Sequence, residues 1–94
     1  VDATGLNEVG ALIAVPHKSV VGSVALAATA EAAAEAAQAL GGCTGLSHNA
    51  GIQRYGNALT TPPEGWDEVI AVNLTAGYLM ARALLPQIVA ARGA

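Results

Sequence analysis

At 94 residues the chain holds one small domain, and at that length a fold buries a smaller share of its surface than a larger protein does. With 53% hydrophobic, 12% charged and 3% aromatic residues it is not a disordered tail, and its interior must be built from Ala, Val and Leu. A net charge of -3, with Lys18, Arg54, Arg82 and Arg92 scattered along the chain, offers no basic stripe to a nucleic acid.

Leu6, Val9, Leu12 and Ile13 recur at helical spacing, which predicts a helix from Gly5 to Val15 that Pro16 ends because it has no amide to donate. Ser19 to Val24 is short and rich in β-branched residues, suited to a buried strand. From Ala27 to Leu40 an alanine-rich helix is expected. Glu31 and Glu35 mark its solvated side, and Gly41-Gly42 stop it. Cys43, the lone cysteine, excludes an intrachain disulfide and a multi-cysteine metal site, and reads as a small buried thiol in a reducing compartment.

Thr44 to His48 predicts a second short strand ending at Asn49-Ala50-Gly51, and Gln53 to Thr61 a polar loop. Thr60 or Thr61 then caps a long helix from about Pro63 to Ala91. Its first turn carries Pro62, Pro63, Glu64 and Asp67, residue types that suit a helix start. Val69, Val72, Leu79 and Ala83 should face inward, and Pro86 should bend or shorten the last turns.

The order helix, strand, helix, strand, long helix, with the strands too far apart for a hairpin, predicts an α/β fold with a parallel sheet covered on both faces. Such a sheet opens its ligand crevice at the carboxyl ends of its strands, where Asn49, Ala50 and Gly51 fall. Asn73 stands inside the long helix, where a side chain that competes for backbone hydrogen bonds needs a reason to be.

His48-Asn49-Ala50-Gly51, followed by Trp66-Asp67-Glu68-Val69-Ile70-Ala71-Val72-Asn73-Leu74, resembles the short-chain dehydrogenase/reductase pattern N-N-A-G and then W-(D/E)-x-(V/I)-(hydrophobic)-x-V-N at the family's separation. The resemblance is clearest from Gly41 to Gly93. It implies a Rossmann-like doubly wound parallel sheet, with residues 1–94 as part of an NAD(P)-binding domain. The implied activity is that of an oxidoreductase interconverting an alcohol and a ketone. It further implies that Asn49, Ala50 and Gly51 lie beside the adenosine half of the nicotinamide cofactor. By the same resemblance Asn73, at a local distortion of its helix, holds through its carbonyl a water of the proton relay.

Asp2 takes the place of the acidic residue that binds the adenosine ribose, which favours NAD over NADP. Ser23-Val24 takes the place of the Asp-Val that binds the adenine ring. His48 stands where the family has its first asparagine, and Ser23 where it has aspartate, so the turn's hydrogen bonding and the adenine contact are altered. A structural or solvent-facing His48 fits better than acid/base work, because no partner acid is identifiable. Thr4-Gly5 and Gly10 do not complete the family's glycine-rich phosphate loop, since Val9 and Ala11 stand where its later glycines belong. Gly42-x-x-Gly45 follows a helix instead of preceding one. Tyr78 and Arg82 have the spacing of the catalytic Tyr-x-x-x-Lys, yet arginine does not readily give up its proton, and Tyr78 reads as packing.

In the strand order 3-2-1-4-5-6 the two strands here would be the third and fourth, which are not neighbours, so an internal fragment of a longer chain is expected. Its partners would be a small-molecule alcohol or ketone and a second copy of itself, met through the long helix. With no uninterrupted run of 18 apolar residues and no basic, apolar leader, no membrane partner and a cytoplasmic location are expected. The rival is a non-catalytic interaction module, or a degenerate dinucleotide-binding relative, suggested by His48 and Ser23.

Overall fold

The computed structural model describes residues 3–93. Its helices are α1 (Ala3–Leu12), α2 (Ala27–Ala39), α3 (Pro63–Ile70) and α4 (Ala76–Ala90). A π-helical stretch, Ala71–Thr75, joins α3 to α4, so that 28 residues from Pro63 to Ala90 form one continuous rod.

No strand forms among the described residues, which corrects the two strands expected at residues 19–24 and 44–48. A strand exists by virtue of the neighbour that takes up its amides and carbonyls, and the third and fourth strands of a doubly wound sheet do not pair with each other. Residues 19–24 lead instead into a turn, in which the Leu26 amide donates to the Ser23 carbonyl (3.1 Å) and the Ala25 amide to Ser23 Oγ (3.2 Å).

Helix α2 ends as its two glycines require. The Gly42 amide donates to the Ala37 carbonyl (2.9 Å) and the Gly41 amide to the Gln38 carbonyl (3.1 Å), a Schellman closure with both glycines at φ near 108°. The end of α4 repeats the pattern with Gly93 to Ile88 (2.9 Å) and Arg92 to Val89 (3.1 Å), but there a non-glycine, Arg92, holds the left-handed position at φ 55°. Gly93 also abuts the backbone of Thr44: a Cβ at Gly93 would run into the Thr44 carbonyl.

The expected caps at Thr60 and Thr61 are not used by α3, whose N-cap is Pro62 with no side-chain hydrogen bond. Asn57 closes a turn of its own just upstream. Its Oδ1 accepts from the Leu59 and Thr60 amides (2.9 and 3.1 Å), while Thr60 Oγ1 accepts from the Asn57 amide (2.9 Å). Thr60 is thereby consumed as the reciprocal partner of Asn57. Helix α4 continues four residues past Pro86, so the proline does not cut it short. Helix α1 stops at Leu12, three residues before the expected end.

The core lies between α2 and α4. Cys43, Leu84 and Ile88 are buried together, with Ala34, Ala37 and Leu46 packed against them. Gln87 Nε2 donates to the Ala34 carbonyl across the same seam (3.0 Å). Val69, Val72, Leu79 and Ala83 are half-buried, as their spacing predicts, and Ala76 on the same rod is fully buried.

This core is small for the composition. Val9, Leu12, Val15, Val21 and Leu26 are exposed on one part of the chain, and Trp66, Leu74, Tyr78, Leu85 and Val89 on the long rod. The radius of gyration is 15.4 Å, against roughly 12 Å for a closed globule of this length. By length and composition alone the rod could cross a bilayer, a test that core helices of soluble proteins also pass.

Candidate functional site

The site is built where the segment after Ser47 meets the distorted stretch of the long rod. Asn73 lies in that stretch, Ala71–Thr75, where the Ala76 amide donates to the Ala71 carbonyl five residues back. An extra residue in the turn leaves helix carbonyls out of α-helical register, and such bulges recur at functional sites. The family resemblance implied a distortion at Asn73, and the distortion falls on that residue.

The Asn73 side chain reaches a segment 21 residues away. Its Oδ1 accepts from the Ile52 amide at 2.8 Å, and its Nδ2 donates to the Ile52 carbonyl at 2.8 Å. Both halves of the amide are therefore satisfied by one backbone residue, as a neighbouring β-strand would satisfy it. Gly51 lies beside it: a Cβ there would stand 3.4 Å from Asn73 Oδ1, at the near edge of ordinary contact.

Asn49, Ala50 and Gly51 are exposed in front of this anchor. Asn49 Nδ2 donates to Ser47 Oγ (2.9 Å), a bond local to the segment. Four of the expected site residues, Asn49, Ala50, Gly51 and Asn73, are thus brought together. Ser23 and Val24 are not joined to them by any hydrogen bond among the described residues: both of Ser23's acceptor groups are engaged within its own turn. Asp2 lies outside the described residues.

Two features were not foreseen. Ile52 holds the site through its backbone alone, so no side-chain signal could have marked it. Arg54 Nη2 pairs with Glu68 Oε1 at 2.8 Å and ties the loop to α3, each side chain about half exposed. Beyond it, Gly56, Asn57, Ala58, Thr61 and Trp66 line a shallow open cleft at the start of α3.

The alternative registers fail on structure as well as on sequence. Thr4, Gly5 and Gly10 lie within α1, not in a loop before a helix. Tyr78 is exposed instead of packed, and its hydroxyl accepts a long bond from Arg82 Nη1 (3.4 Å).

A family model described as Enoyl-(Acyl carrier protein) reductase matches residues 5–94. The chain belongs to this family of short-chain dehydrogenases/reductases. Among curated proteins it is 48% identical over 59 residues to a protein of Xanthobacter autotrophicus named inactive 2-(S)-hydroxypropyl-CoM dehydrogenase 2, covering 63% of this chain and 26% of that one. It is 43% identical over 58 residues to a 2,5-dichloro-2,5-cyclohexadiene-1,4-diol dehydrogenase of Sphingobium indicum, covering 62% and 23%. It is 46% identical over 46 residues to the D-beta-hydroxybutyrate dehydrogenase of Cupriavidus necator, covering 49% and 18%. The chain thus spans about a quarter or less of the length of these relatives.

Proposed function

We propose that the complete protein is an NAD(P)-dependent oxidoreductase that interconverts an alcohol and a ketone by hydride transfer. One observation carries the reading beyond family membership: the paired hydrogen bonds that fasten Ile52, and with it the Asn49-Ala50-Gly51 turn, to Asn73 at the helix distortion. An exposed turn of small residues, held rigid from behind, suits the close backbone approach that a dinucleotide's adenosine half requires. When bound, the nicotinamide ring supplies the hydride chemistry. Asn49, Ala50 and Gly51 line the site of the cofactor's adenosine half, and Asn73 holds through its carbonyl a water of the proton relay. The Rossmann-like parallel sheet belongs to this reading, with residues 19–24 and 44–48 pairing with strands from elsewhere in the protein.

NAD is favoured over NADP by Asp2, whose carboxylate would repel a 2′-phosphate. The substrate is a small alcohol or ketone, as the names of the relatives suggest. A homodimer or homotetramer through the long rod is supported by Leu74, Tyr78, Leu85 and Val89, all exposed. They recur at intervals of four, seven and four residues and so form one stripe. The lone Cys43 is consistent with work in the cytoplasm.

A second reading has an observation of its own. His48 and Ser23 replace residues of the family pattern, and one of the matched relatives carries the word inactive in its name. A degenerate dinucleotide-binding protein, or a non-catalytic interaction module, would keep the same anchor. Melting the full-length protein with NAD and with NADP tests both, because a ligand bound only by the folded state raises the melting temperature. A shift together with turnover of an alcohol or ketone supports the enzyme. A shift without turnover supports the degenerate relative, and no shift with either nucleotide contradicts both dinucleotide readings.

A further inference from the structure

His48 turns toward the same helix that Asn73 occupies. Its ring lies against Gly77, where a Cβ would stand 3.6 Å from Cδ2 and 3.7 Å from Nε2, ordinary contact distances. The two pairings run antiparallel: His48 meets Gly77 and Ile52 meets Asn73, four residues apart on each side. A single turn of helix therefore holds Asn49-Ala50-Gly51 at both of its ends.

His48 Nε2 is buried and has no hydrogen-bond partner among the described residues. A buried polar atom without a partner is unfavourable, so hydrogen bonding at that nitrogen is not what keeps the ring in place. What the ring supplies is volume. It lies close against the rod at Gly77, leaving room for no more than a methyl group between them, and the backbone on its C-terminal side is braced there.

We infer that His48 is a positioning residue, a packing wedge against Gly77 that fixes the Asn49–Gly51 turn from the end opposite Asn73. Its importance for cofactor binding rests on the function proposed above, but the wedge itself can be read without a cofactor. The reporter is the Ile52 amide, whose hydrogen exchange follows local opening of the clamp.

The test compares the full chain with His48→Ala, His48→Phe and Gly77→Val. Removal of the ring in His48→Ala, or its displacement in Gly77→Val, should speed Ile52 exchange about tenfold while α2 amides stay unchanged. His48→Phe keeps the ring and lacks the nitrogens, and should remain within about twofold of the unsubstituted chain. The NADH dissociation constant should weaken in His48→Ala only by the factor by which the closed population falls, with His48→Phe again close to normal. Unchanged Ile52 exchange in His48→Ala and Gly77→Val overturns the inference, as does a His48→Phe variant as loose as His48→Ala. If the unsubstituted chain binds no dinucleotide, the proposed function fails, and the Ile52 exchange rates alone decide whether the wedge exists.

Discussion

Asn73 and Ile52 exchange two hydrogen bonds of 2.8 Å across 21 residues of sequence, one in each direction. A helix residue thus acts toward the loop as a strand edge would, and this pairing sets where the exposed Asn49–Gly51 turn stands.

Asn73→Ala separates activity from stability. The substitution removes two hydrogen bonds of about 0.5–1.5 kcal/mol each. It also replaces a poor helix former by the best one, which returns about 0.5 kcal/mol. The melting temperature should therefore fall by only a few degrees, while the turnover proposed for the complete protein falls tenfold or more. Alanine keeps the backbone carbonyl, so a variant with normal turnover would show that the side-chain anchor to Ile52 is not needed to position the site.

The glycine closing α2 and the arginine closing α4 should respond in opposite directions. Gly41 sits at φ 108°, so Gly41→Ala should destabilise by about 1–2 kcal/mol. Arg92 holds φ 55° with a side chain, so Arg92→Gly should stabilise by a few tenths to about 1 kcal/mol. Urea denaturation midpoints at constant slope measure both.

Arg54 and Glu68 are each half exposed, at 49% and 50%, so solvent screens their 2.8 Å contact. Either residue changed to Ala should cost under about 1 kcal/mol, and the cost should shrink further in 1 M salt. A loss of several kcal/mol that persists in salt would mean that the pair is a buried anchor, contrary to its exposure.

The stripe of Leu74, Tyr78, Leu85 and Val89 predicts self-association of the complete protein. Leu85→Glu combined with Val89→Glu should convert a dimer or tetramer to monomers in sedimentation velocity, with little change in far-UV circular dichroism. A monomer before substitution contradicts the stripe as a homo-oligomer face.

Local chemistry made the helices legible. Fourteen residues from Ala27 to Leu40 were expected to form a helix, and α2 spans Ala27–Ala39, because alanine content and the Gly41-Gly42 stop are both local signals. The long rod was legible for the same reason, whereas the distortion at Asn73 was expected only from the family resemblance. The strands at residues 19–24 and 44–48 were not realised, because a segment suited to extended backbone, β-branched in the first case, states a preference that only a partner strand can satisfy. Thr60 was misassigned as a cap because Asn57, three residues earlier, takes it first. Within the site, Asn49, Ala50, Gly51 and Asn73 were readable as motif positions. The grip on Ile52 was not, since a backbone acceptor and donor leave no mark on residue identity. Among the five apolar residues Leu74, Tyr78, Leu84, Leu85 and Ile88, periodicity alone could not tell that Leu84 and Ile88 face α2 while the others face outward.

The most direct measurement is an NMR titration of the complete protein with NADH and with NADPH, following the backbone amides of Ala50, Gly51 and Ile52. Saturable shifts at these three positions, larger than those in α2 and stronger with NADH, are predicted. Binding that leaves all three unmoved, or no binding of either nucleotide, would contradict the placement of the cofactor at this turn.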